Sequence, residues 1–138
     1  MNSSKLASFL AWAQGLYFLA TGVWPLVSVR TFQAVTGKKS DHLIAAAPTE
    51  ADHWMLNTIS GLIIAIAIAL LSAAWRRRLS FEVALLGAAS AVALTAIDVI
   101  YVARGTIAPI YLVDAAVEVV IIITWGWVLF RSAGRRDD

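Results

Sequence analysis

Three carboxylic acids stand inside otherwise apolar stretches of this sequence: Asp98, Asp114 and Glu118. A carboxylate in hydrocarbon costs on the order of 3 kcal/mol by insertion scales, so such residues usually face a bundle interior and mark ion, proton or ligand chemistry. Asp114 and Glu118 are four residues apart and stack on one helical face, which Tyr111 continues. Carboxylates gathered at low dielectric repel one another, so a cation, the proton included, is the expected guest. Polar residues elsewhere repeat with helical spacing. Gln14, Tyr17, Thr21 and Trp24 recur at i, i+3, i+7 and i+10, Asn57 follows Trp54, and Tyr101 lies beyond Asp98. If all these stripes turn inward, Gln14, Tyr17, Thr21, Asn57, Asp98, Tyr101, Tyr111, Asp114 and Glu118 line one half of a bundle whose other half is aliphatic. That asymmetry describes a pocket open to one side, not a pore. Tyr17, Tyr101, Tyr111 and Trp24 would offer π-faces to a cation or amine.

A plainer reading stands beside this one. A carboxyl hydrogen-bonded to Gln14, Asn57 or a tyrosine can simply hold helices together. Taken singly, Gln14 and Asn57 fit that role better than a ligand role, whereas three acids exceed what gluing requires.

Other chemistry finds little footing. There is no cysteine, which removes disulfides, thiolate catalysis and cysteine-bound zinc. Asp41, His42, Glu50, Asp52 and His53 could supply metal ligands, but no HExxH or comparable spacing occurs, and solvated loop residues are the expectation. No metal, cofactor or enzyme activity is expected, because no nucleophile–base pair can be read. Net charge is +2 and the pI near 9.3, yet the basic residues sit at helix ends and read as topology signals, not as a nucleic-acid footprint.

The elements that must position the acids follow from hydropathy. Of 138 residues 60% are hydrophobic and only 14% charged, against about a quarter charged in soluble domains. The apolar residues fall into four blocks of ~20 residues, at about 6–28, 54–75, 83–103 and 109–130, each long enough to span a ~30 Å hydrocarbon core as a helix. The chain is therefore expected to be all-α: one domain, a four-helix antiparallel transmembrane bundle, with a loop over about 29–48 as the one connection large enough for a lid or interfacial helix. The first block exceeds a signal-peptide core and carries Trp24-Pro25 where small residues belong, so it reads as a retained helix.

Seven Lys and Arg residues fall on the side of the termini and the second loop, against four in the first and third loops, which predicts both termini in the cytoplasm. On that orientation Asp98 and Asp114 lie ~6–8 Å to the outer side of the midplane and Glu118 close to it.

Boundary residues add detail. Thr49 and Asp52 suit a capping box, Ser80 and Glu82 a capped first turn, Gly105 a left-handed helix stop, and Pro109 the first turn of the fourth helix. Gly61, Ala65 and Ala69, and likewise Gly87, Ala91 and Thr95, form small-residue faces expected to pack within the bundle. The six tryptophans are expected mostly at span ends as an aromatic belt, with Trp12 as core packing.

The stretch from Trp24-Pro25 through RTFQAVTGKKSD, then Trp54 and its glycine-bearing span, and later DVIYVARGTIAPIYLVDAAVE at 98–118 resemble a family of small, uncharacterised bacterial membrane proteins. The resemblance covers about half the chain. It implies a bacterial four-helix protein of the cytoplasmic membrane and supplies no activity. Residues around Leu43–Ala51 are additional to the family's pattern. Small multidrug transporters are of similar size, but they carry the essential acid in the first helix, where this chain has Gln14. Sterol-isomerase-like proteins have a histidine-containing pattern that is not matched. Three functions remain in view: binding of a small cationic or lipid-like ligand, proton-coupled transport as a homo-oligomer, and a non-catalytic role as a subunit or assembly factor of a membrane complex.

Overall fold

A computed structural model of the chain describes residues 3–36 and 50–133. Among these described residues there are five helices: α1 (Ser3–Val27), α2 (Val29–Thr36), α3 (Glu50–Trp75), α4 (Phe81–Ala103) and α5 (Tyr111–Ala133). Among the described residues there is no strand. Four of the helices, all but α2, are long and apolar enough to cross a membrane. At most 39% of the most apolar stretch of any of them is buried within the bundle. The remaining apolar surface, including Leu62, Ile68, Val120, Ile123 and Phe130, faces outward, which water does not favour and hydrocarbon does.

The helices form an antiparallel bundle in which α1 packs chiefly on α3, and α4 on α5, while α1 also reaches α5. Each buries one narrow seam. On α4 this is Ala84, Gly87, Ala91 and Asp98, and on α5 it is Ala115, Glu118, Ile121, Trp125 and Val128. The spacing of three and four residues is that of left-handed bundle packing. On α1, Ala11, Gly15, Phe18 and Gly22 form the seam, and the two glycines let Leu71 and Ile64 of α3 approach closely. The two small-residue faces foreseen from sequence thus part ways. Gly87 and Ala91 are buried and Thr95 is half-buried, but Gly61, Ala65 and Ala69 are exposed.

The ends of the helices show why they stop where they do. After α4, Gly105 takes φ +68°, and its N–H bonds the Val102 carbonyl at 2.9 Å while that of Thr106 bonds Tyr101 at 2.9 Å. This is the Schellman stop anticipated at Gly105, in which glycine avoids a Cβ clash. After α3 the same pair of bonds recurs, from Arg77 to Ala74 and from Arg78 to Ala73, but the left-handed residue is Arg77, at φ +52°. Ser80 occupies the N-cap position of α4, yet its hydroxyl makes no capping bond. Pro109 lies two residues before α5, in the turn that leads into it, and not within its first turn. The capping-box residue Thr49 lies outside the described residues, as does the side chain of Asp52, and α3 begins at Glu50.

Pro25 interrupts the hydrogen-bond ladder near the end of α1, and the chain turns at Ser28 into α2. The Ser28 hydroxyl caps α2 by accepting the Thr31 N–H at 3.2 Å. Trp24 then fastens α2 down: its indole N–H donates to Thr31 Oγ1 at 3.0 Å and its ring meets Phe32 edge-on.

Candidate functional site

Apart from Ser60 of α3, the buried polar side chains among the described residues fall into two groups at different levels of the bundle. The first centres on Gln14, which is fully buried on α1. Its amide nitrogen donates to the Gly87 carbonyl at 2.9 Å and to Ser90 Oγ at 3.4 Å, and its amide oxygen accepts the Trp125 indole N–H at 2.7 Å. The Ser90 hydroxyl bonds the Gly87 carbonyl in turn, at 3.0 Å. One amide thereby links α1, α4 and α5. A Cβ at position 87 would stand 2.6 Å from Trp125 Nε1 and 2.9 Å from Gln14 Oε1, so only glycine leaves room for this junction.

The second group lies on α4 and α5, toward the end of the bundle where these two helices are joined. Glu118 is fully buried, and neither of its carboxyl oxygens has a hydrogen-bond partner among the described residues. The charged groups that act on it are Asp114 and Asp98. Asp114 is half-buried, in the first turn of α5, and Asp98 is buried on the seam of α4. Thr95, one turn from Asp98, has a buried hydroxyl with no hydrogen-bond partner among the described residues. Tyr111 is half-buried with its hydroxyl inside. The hairpin made by the Gly105 stop is what sets Asp98 opposite the start of α5. Trp125 is seven residues from Glu118, so the two polar groups are about two turns, or ~10 Å, apart along α5.

Several residues expected to line one pocket are placed differently. Asn57 is exposed on α3, and Tyr101 is 40% exposed with the Arg104 guanidinium 5.8 Å from its ring centre. Tyr17 is half-buried beside Phe18, and Thr21 turns its hydroxyl onto the Tyr17 and Phe18 carbonyls of its own helix. Gln14 is interior but committed to the α1–α4–α5 junction. The three acids are the part of the expected site that the fold brings together. They are spread along the axis: among the described residues, no three His, Asp or Glu side chains are grouped to hold a metal ion.

Trp125 is also placed differently from the sequence-based expectation. It was expected in the aromatic belt, yet it is fully buried, while Trp24, Trp54, Trp75 and Trp127 are exposed and Trp12 is half-buried, packed edge-on against Trp75. The signal was present, since Glu118, Ile121, Trp125 and Val128 share one face at bundle spacing.

Comparisons with protein-family models, curated proteins and solved structures return no match to this chain.

Proposed function

We propose that this is a multi-pass protein of the bacterial cytoplasmic membrane, with both termini inside, that binds a small cationic ligand at the Asp98–Asp114–Glu118 group. The observation that carries the reading is Glu118: a fully buried carboxyl with no hydrogen-bond partner among the described residues, within electrostatic reach of two further acids. Burying such a group without a partner costs several kcal/mol or more, and a purely structural acid would be expected to close onto a donor, as Gln14 does. An ammonium or other cation entering from the outer end, past half-buried Asp114 and Tyr111, would supply the missing donors.

The test is direct binding of a simple primary amine, butylamine, to the purified protein in neutral nanodiscs. Wild type is expected to bind, and Asp98→Asn, Asp114→Asn and Glu118→Gln to lose affinity. Equal affinity in all four proteins contradicts the reading. A reporter fused after Asp138 is expected to be active in its cytoplasmic form only, which fixes the end from which the ligand enters.

A second reading, proton-coupled transport by a homo-oligomer, is favoured by one observation. Asn57, Gly61, Ala65 and Ala69 form an exposed stripe on α3, the kind of face on which membrane helices associate. Reconstituted vesicles separate the two: transport requires amine flux driven by a pH gradient, whereas binding alone gives none.

A further inference from the structure

The face of α5 that turns away from the bundle carries a groove beside a cation. Opposite the buried seam of that helix, Ile123, Thr124, Gly126, Trp127 and Phe130 line an open groove of about 380 Å³. Gly126 leaves it bare, since a Cβ there would meet nothing within 4 Å. Ile123, Trp127 and Phe130 stand exposed around it. The one hydroxyl in the lining, that of Thr124, is turned onto the Val120 carbonyl of its own helix at 2.7 Å. The groove is therefore apolar, and from Ile123 to Phe130 it runs ~10 Å along the helix axis.

At its end stands Arg131, in the last turn of α5 and at the edge of the apolar span. The guanidinium lies over the Trp127 ring, 4.5 Å from its centre. Stacking of this kind engages the face of a guanidinium and leaves its N–H edge to donate, the geometry in which arginine takes a phosphate through two bonds. The surrounding charge is of one sign. Among the described residues, this end of the bundle also carries exposed Lys5, Arg76, Arg77 and Arg78, against a single acid, Glu82. An apolar groove open to hydrocarbon, ending on a cation at the span edge, matches a molecule that joins an acyl chain to a phosphate. The excess of basic groups favours one whose headgroup keeps its net negative charge.

We propose that this groove holds one acyl chain of an anionic phospholipid, with the headgroup phosphate on Arg131 and the chain lying over Gly126 between Trp127, Phe130 and Ile123. The site is separate from the acid group, and it requires only that α5 crosses the bilayer, whichever side the termini face.

The test places the full chain in phosphatidylcholine nanodiscs doped with phosphatidylglycerol that carries brominated acyl chains, which quench tryptophan on contact. The part of the quenching that Trp127→Phe removes reports on the groove. Brominated phosphatidylglycerol is expected to half-quench that signal at about fivefold lower mole fraction than brominated phosphatidylcholine, the preference one arginine supplies. Arg131→Gln should abolish the preference, and Gly126→Leu, by filling the groove, should weaken quenching by both lipids. Arg76→Gln, on the α3–α4 turn, should leave the preference as it is. All of these positions are exposed, and Gly126 has open space beside it, so the changes leave the packed seam untouched. Equal quenching by the two lipids in wild type would overturn the assignment. So would an equal loss of preference in Arg76→Gln, which would mean diffuse surface charge in place of a site at Arg131. No quenching by either lipid would also overturn it, and a dimer that Gly126→Leu breaks would then put a second copy of the chain in the groove.

Discussion

The Gln14 junction and the Glu118 group are both buried, polar and built across helices, and they differ in what they leave unanswered. Around Gln14 both ends of the amide are paired, a glycine makes room for it, and an indole closes the far side. Around Glu118 the fold supplies burial and two further acids, and neither carboxyl oxygen has a hydrogen-bond partner among the described residues. A satisfied polar network specifies which helices meet and at what register. A buried carboxyl without donors among the described residues adds nothing to that specification, and this is the ground on which a ligand is proposed for it. Depth and polarity are shared by the two groups; hydrogen-bond completeness among the described residues is what sets them apart.

The largest effect that can break this contrast is at the junction. Gln14→Leu leaves the Trp125 N–H buried without an acceptor and should cost ~2–3 kcal/mol in unfolding from mixed micelles. Adding Trp125→Phe should recover part of that loss, because removing both partners is cheaper than orphaning one. If Gln14→Leu unfolds at the wild-type midpoint, the junction is not the structural element described.

Gly87→Ala comes next. Its new Cβ would press on Trp125 Nε1 and Gln14 Oε1, both committed to hydrogen bonds, and should cost ~1–3 kcal/mol by overpacking. Gly61→Ala has nothing within 4 Å of the new methyl, so an unchanged midpoint is expected from the same assay. Equal losses at the two glycines would mean that the α3 face is packed as tightly as the seam.

Smallest are the two helix stops. Gly105→Ala must hold φ +68° with a side chain and should lose ~1 kcal/mol, loosening the hairpin that sets Asp98 against α5. Arg77→Gly relieves the same conformation and should gain up to ~1 kcal/mol, read as a raised melting midpoint. Opposite signs at these positions support the two stops as drawn.

Much of the architecture could be read before any coordinates. Four apolar blocks of membrane-spanning length leave few alternatives to four helices, and Gly105 announces its own turn. The acids were also legible, because an acid in an apolar block stands out whatever its orientation. What could not be read was rotation about each helix axis. A span that is apolar all round carries no amphipathic stripe to say which side is buried, so Gly61, Ala65 and Ala69 looked as suited to the interior as Gly87 and Ala91. Small residues permit close approach without naming the neighbour. Asn57 shares the Gly61 face and turned outward with it. Trp125 was misplaced because tryptophan near a span end usually marks the interface. Its seven-residue offset from Glu118 was the stronger clue.

The central claim is that Glu118 serves binding and Gln14 serves the fold, and one paired measurement tests it. Unfolding midpoint and butylamine affinity are recorded on the same preparations of wild type, Glu118→Gln and Gln14→Leu. The account predicts that Glu118→Gln unfolds at or above the wild-type midpoint while losing at least about tenfold in affinity, and that Gln14→Leu loses stability. If Glu118→Gln lost as much stability as Gln14→Leu and bound butylamine as wild type does, the acid would be part of the glue and the account would be wrong.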